Sequence, residues 1–242
     1  MRLSLRVAAV AVLACASTAA AQATATINRW TVTPRAGYIM FHKASGIGNS
    51  PAVGFDAVYH FGRIAGLSAG LGTAATFARP QTEGNDFVGN LYLGDTVFVY
   101  RAEQPLTVTD LNLVGTVSFM EGGMFSPYLL AGIGGYILFL DPQVSGRTGA
   151  NNKIQRMSIN FGGGVNMRLG DRASIMLDVR DMVWRNWNRN DLNPLAPAAR
   201  NTRFLEDFPP SVKPKTHVGN ILMQIGFTFI PTLGGAQEGG QQ

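Results

Sequence analysis

Seven ionisable residues could do chemistry together if the fold gathers them: Arg35, Asp56, His60, Asp110, Arg168, Asp178 and Arg180. Each lies in a segment that alternates large apolar with small polar residues, and each falls on the inward, polar side of that alternation. Both signs of charge occur, on different segments. Charges withdrawn from water must pair, or they shift their pKa and neutralise. The expectation is therefore a network of paired charges inside the fold. A catalytic reading would join His60 to Asp56 and a nucleophile, but no serine stands in a strained elbow motif. The glycines at 132–135 and 162–164 lie within strand patterns and precede no helix, so they make no phosphate loop. Close packing and curvature of a sheet explain them better. His42, His60 and His217 lack metal-ligand spacing. No catalytic, cofactor or metal site is expected, and the chain reads as a non-enzyme.

The segments that must position these residues have a period of two. Eight are predicted, at 31–41, 52–61, 67–77, 108–119, 128–139, 156–169, 173–184 and 218–230. Each is long enough for a tilted strand to cross a hydrocarbon layer, which takes about 9–11 residues. In the sixth, Met157, Ile159, Phe161, Val165, Met167 and Leu169 share one face, against Ser158, Asn160, Gly162, Gly164, Asn166 and Arg168. In the eighth, Ile221, Met223, Ile225, Phe227 and Phe229 oppose Asn220, Gln224, Gly226 and Thr228. A water-exposed face would carry Lys and Glu. These polar faces carry Gly, Ser, Asn and Thr, which suit a crowded, hydrogen-bonded interior, and the large apolar groups suit a wall that faces lipid.

The connections alternate in length. Those at 62–66, 120–127 and 170–172 are short, and those at 42–51, 78–107, 140–155 and 185–217 are longer. Outer-membrane barrels sort their connections in this way, with short periplasmic turns and long outer loops. The expected fold is all-β: an eight-stranded antiparallel up-and-down transmembrane β-barrel, with both termini in the periplasm. The segment 92–101 also looks β-like but lies inside the second long loop. It reads as a hairpin extension above the membrane, the alternative being an extra strand. Trp30, Tyr38, Phe41, Tyr59, Phe61, Tyr136, Phe139, Trp184, Trp187, Phe227 and Phe229 fall near strand ends, where interfacial girdles of aromatics sit.

Composition agrees. Only 14% of residues are charged and mean hydropathy is close to zero, which excludes a helical membrane bundle and is unusual for a soluble α/β enzyme. Arg2 and Arg6, the apolar run 7–14 and the small residues at 17–23 read as a cleaved secretory signal, cut after Ala21 or Ala23. A lipoprotein signal ending at Cys15 is the weaker alternative. Cys15 is the only cysteine, so disulfides do not hold the mature fold. Loss of Arg2 and Arg6 takes the formal charge from +5 to +3, too weak and dispersed for nucleic acid. The expected organisation is a signal peptide at 1–21, a barrel at 22–230 and a short flexible periplasmic tail at 231–242.

The stretch SPYLLAGIGGY at 126–136 resembles the fifth strand of the small outer-membrane barrels related to OmpA, OmpX and OmpW. GLSAGLG at 66–72 and QIGFTF at 224–229 are similar in style. The resemblance covers about residues 30–230 and is compositional, so it implies a fold class. It implies an outer-membrane location in a Gram-negative-type envelope and a monomer bathed in lipid and lipopolysaccharide. The tail at 231–242 is too short and too rich in Gly and Gln for a peptidoglycan-binding domain. The basic loop at 185–217 is a candidate site for lipopolysaccharide phosphates or an acidic extracellular partner, beside the plain reading of a solvated loop. Two roles stay open: a structural or interaction role through the outer loops with a plugged lumen, or porin-like passage of small solutes, which the OmpW resemblance implies. A lipid-modifying enzyme would need a His/Ser or His/Asp pair at the outer rim, and a soluble lipocalin-like carrier would not partition with membranes.

Overall fold

A computed structural model describes residues 28–64, 67–83, 88–93, 96–101, 103–120, 123–141, 152–170, 172–192 and 216–230. The expected signal peptide, the tail at 231–242 and most of the basic loop at 185–217 lie outside them. Ten strands follow in order: β1 (Asn28–Met40), β2 (Ser50–Ile64), β3 (Leu67–Ala78), β4 (Val88–Leu93), β5 (Thr96–Arg101), β6 (Leu106–Phe119), β7 (Phe125–Leu140), β8 (Lys153–Arg168), β9 (Ala173–Arg185) and β10 (His217–Phe229). Eight of them close into a barrel in the order β1-β10-β9-β8-β7-β6-β3-β2, every neighbour antiparallel. The wall strands begin and end within three residues of the predicted segments.

Closure follows from the alternation. Phe161, Ile225 and Phe227 are 49, 54 and 46% exposed, whereas their neighbours Asn160 and Gln224 are buried. The oily side chains therefore point away from the axis. The belt continues around the wall through Leu71, Leu111, Leu129, Ile133, Leu177 and Met223. In water so large an apolar surface would drive aggregation; against lipid it is the solvated face. A sheet in lipid has no water to satisfy an edge, so it must close on itself. The barrel strands run 12 to 16 residues, longer than a crossing needs, so they project beyond the hydrocarbon layer.

The seam where first and last strands meet has a local flaw. The β1–β10 ladder pairs Val32 with Phe229 and Arg35 with Gly226, and skips Thr33 and Pro34. Pro34 has no N–H to donate and points outward. A hydroxyl pair spans the gap, Thr33 Oγ1 to Thr228 Oγ1 at 2.8 Å.

The segment at 92–101, expected as a hairpin extension and not as an extra wall strand, belongs to a hairpin with a sheet of its own. Among the described residues β4 and β5 pair only with each other, and the break between them falls inside the predicted segment. The reason is in the wall: β3 pairs directly with β6, and the pairing runs on past the strand ends. Leu106 N donates to Pro80 O at 2.8 Å and a bridge joins Gln81 to Pro105, so the hairpin has no edge of the wall to join. Below the hairpin the loop bases are knitted together. Gly48 N donates to Gln81 O at 2.8 Å, Glu83 N to Gly46 O at 2.9 Å and Thr82 N to Gln104 O at 3.0 Å. Gln104 Nε2 reaches across to Leu192 O at 2.6 Å. Gly46, at φ 72°, turns the first loop back over the barrel in a conformation that favours glycine.

Candidate functional site

Eight strands leave an interior just wide enough for side chains to fill it. At mid-depth that filling is ionic. Arg180, on β9, donates from Nη1 and Nη2 to the two carboxylate oxygens of Asp56 on β2, at 3.2 and 2.5 Å. Its Nε reaches Asp178 Oδ1 at 2.8 Å, from the same face of its own strand. Arg35, on β1, meets Asp56 Oδ1 through Nε at 3.1 Å and also donates to Ala75 O at 2.9 Å and Thr76 Oγ1 at 3.1 Å. Gln224 accepts from Arg35 and donates to Asp178 Oδ1 at 2.9 Å, and the Tyr128 hydroxyl donates to Asp178. All four charged residues are at most 5% exposed. Two cations and two anions balance, and six strands contribute to the cluster. Interior glycines make room for it: a Cβ on Gly54 would stand 3.0 Å from Arg35 Cζ, and one on Gly162 3.1 Å from Arg180 Cγ.

The other three expected residues are not in this quartet. Asp110 forms a separate buried group, accepting from Asn112 and from Asn160 Nδ2 at 3.2 Å, with Ser158 Oγ donating to Asn112 Oδ1 at 3.1 Å. Arg168 lies exposed at the short-turn rim, where its Nε donates to Gly170 O at 2.9 Å, so its expected place in a buried lumen network is corrected. The reason is depth: it is the last residue of β8. His60 is half-buried and its Nε2 is 3.1 Å from Thr31 Oγ1, while the Asp56 carboxylate is engaged by the two arginines.

Above the ionic layer the interior turns apolar, which the aromatic pattern did not anticipate. Trp184 and Tyr136 stack at 4.3 Å between ring centroids and 16° between planes. Phe41 and Trp187 pack against Trp184 at 5.5 and 5.4 Å. All four are buried, with Ile39, Leu106, Leu138, Leu140, Met182 and Leu222 around them. Phe41, Tyr136, Trp184 and Trp187 therefore belong to an internal plug and not to a girdle. Parity carried the signal: the inward set of Asp178 and Arg180 continues to Met182 and Trp184, and that of Arg35 continues to Ile39 and Phe41. Trp30, Tyr38, Phe61, Phe139, Phe227 and Phe229 do point outward. The loop bases described above, with Ile47 and Leu192 fully buried, lie over this plug.

Below the ionic layer the lumen is hollow. A cavity of about 350 Å³ opens toward the short turns, with Asp56, Arg180 and Tyr128 lining its inner end.

No curated protein matches. Among solved structures it is similar to Neisserial surface protein A, at 12% identity and a TM-score of 0.50, covering 86% of this chain and 99% of that one. It is also similar to the outer membrane protein OprG from Pseudomonas aeruginosa, at 13% identity and a TM-score of 0.45, covering 84% and 97%. At such identities the first likeness is one of fold. The family model for the outer membrane protein β-barrel domain matches residues 7–195. With that match over most of the chain, and a closed wall whose apolar face looks outward, the chain belongs to the outer membrane protein β-barrel domain family.

Proposed function

We infer that this outer-membrane barrel is a non-enzymatic, non-conducting scaffold that acts through its outer loops. The observation that carries this reading is the filled lumen. The Arg35–Asp56–Arg180–Asp178 quartet crosses the interior at mid-depth, and the Trp184–Tyr136–Trp187 plug fills the level above it. A solute crossing the barrel would have to separate the buried ion pairs of the quartet and then displace stacked aromatics. In this reading the leader at 1–21 is removed on export, and the short turns, both termini and the tail at 231–242 face the periplasm. The long loops face outward, so the basic loop at 185–217 meets lipopolysaccharide phosphates or an acidic partner. The barrel works as a monomer. Arg185 and Arg189 supply part of that loop's charge, and Asp191 ties it to the wall through Arg156 at 3.5 Å.

The competing role is passage of small solutes, which the hollow lower half favours. Planar bilayers separate the two. The refolded protein should insert without a stable open state, and proteoliposomes should not swell in small sugars. A large, long-lived conductance would refute the scaffold reading.

A further inference from the structure

We propose that a second copy of this chain docks on the lipid-facing wall across β9, β10 and β1, with Asp181 of each barrel accepting a hydrogen bond from Tyr38 of the other. The inference goes beyond the scaffold reading and does not depend on whether the lumen conducts. Each barrel keeps its own closed wall and filled lumen, so the pairing joins units that each work singly.

The first observation is a carboxyl group on the oily side. Alternation along β9 turns Arg180 and Met182 inward and Val179, Asp181 and Val183 outward. Asp181 stands opposite Phe161, midway along β8, so it faces the belt and not the rim. Its Oδ1 is buried without a hydrogen-bond partner. The next outward charge on the strand, Arg185, is four residues on, about 13 Å along an extended chain, and its Nε meets His217 Nε2 at 3.3 Å. Hydrocarbon offers no donor, and an ionisable group at that depth is costly until it finds one. The carboxyl leans over Gly219 of β10, where a Cβ would stand 2.8 Å from Asp181 Oδ1.

The second observation is a matching donor. Tyr38 points outward from β1 and is 46% exposed. Among the described residues its hydroxyl has no partner. Phenol to carboxyl is a charge-assisted bond, among the strong ones.

The third is symmetry. Two barrels inserted the same way up are related by a two-fold axis along the membrane normal. Such an axis, set against β10, brings a group on the β9 side of one copy to a group on the β1 side of the other, provided the two lie at one height. The register supplies that height. A path of paired residues that leaves Ser68 and passes once around the wall returns to β3 at Ala78, ten residues nearer the long loops. Two of the eight strands therefore account for a climb of two to three residues. From Asp181 the path leads to Ile221 and then to Met40. Stepping back down β1 by two residues reaches Tyr38, level with Asp181. Ile221 and Met223 flank that level on β10 and meet their own copies at the axis. Apolar contact gains little in lipid, so the two reciprocal hydrogen bonds carry the association.

The test is sedimentation equilibrium of the refolded full chain in density-matched micelles, over a range of protein-to-detergent ratios. A reversible monomer–dimer equilibrium is expected. Y38F keeps the ring and removes only the hydroxyl; it should weaken association roughly tenfold, because both bonds go at once. D181L should weaken it as much, and Y38F/D181L no further, since the two residues form one interaction. In a C15S background in phosphatidylcholine vesicles, oxidation should link M223C into a dimer and leave L113C, on β6 across the barrel, unlinked. If D181L does not refold, Y38F and the cross-link carry the test. A chain that stays monomeric at the highest ratios would overturn the proposal and leave the carboxyl to lipid alone. So would undiminished association in Y38F, assembly beyond the dimer, or equal cross-linking from both faces, which would mark crowding.

Discussion

At the scale of single residues, Arg180 holds the lumen together. It binds one carboxylate of its own strand and another on the far side of the barrel. Truncating it leaves Asp56 with only Arg35, and Asp178 with only neutral donors, and both carboxylates are buried. Breaking a buried pair by removing one partner costs about 3–5 kcal/mol. Arg180→Met should therefore lower stability by about that much, read from urea unfolding in detergent micelles. The double variant D178L/R180M removes one cation and one anion together and keeps the Arg35–Asp56 pair. It should recover more than half of the loss. If it is no better than R180M, the quartet is not a coupled charge cluster. Charge type and inward parity made the quartet members legible in the sequence. Depth was not legible, because it depends on how eight strands are staggered around the axis. That is why Arg168 and Asp110 stood beside Arg35 and Asp56 until the register was known. Neutral members such as Gln224 and Tyr128 shared the parity but carried no charge to single them out.

Among the elements, β1 and β10 make the least regular join. Their ladder skips Thr33 and Pro34, and a single hydroxyl contact bridges the gap. Amide exchange in micelles should be faster along this seam than between β7 and β8, whose register runs unbroken from Phe125↔Met167 to Phe139↔Lys153. Thr33→Val removes the bridging hydroxyl and should lower stability by about 1 kcal/mol while leaving the β7–β8 protection unchanged. Equal protection at both joins would show that the flaw has no energetic weight. The strands themselves were easily read from the sequence, because a wall with lipid on one side and packed polar groups on the other enforces strict alternation. The loop hairpin was harder. β4 and β5 are six residues each, and their pattern does not say whether they extend the wall. The direct β3–β6 pairing decides it, because it leaves the hairpin no edge of the wall to join. The aromatics misled where closeness to a strand end was read without parity: Trp184 sits one residue from the end of β9 yet points to the axis.

For the whole molecule, the decisive contrast is between the belt and the filling. Phe161 lies midway along β8 on the lipid face, whereas Leu169 lies just past its end. Placing a guanidinium on this surface should cost according to depth. Phe161→Arg should destabilise the refolded protein by about 2–4 kcal/mol in bilayers and Leu169→Arg by about 0–1 kcal/mol. Equal penalties would show that the belt is not the membrane-facing surface. The filling is uneven from end to end. Stacked rings and knitted loop bases occupy one half, paired charges the middle, and open space the other half. Such a vessel has a lid and no drain. On the scaffold reading proposed above, whatever dissolves in its lower half equilibrates with one compartment alone, and the two sides of the membrane stay separate.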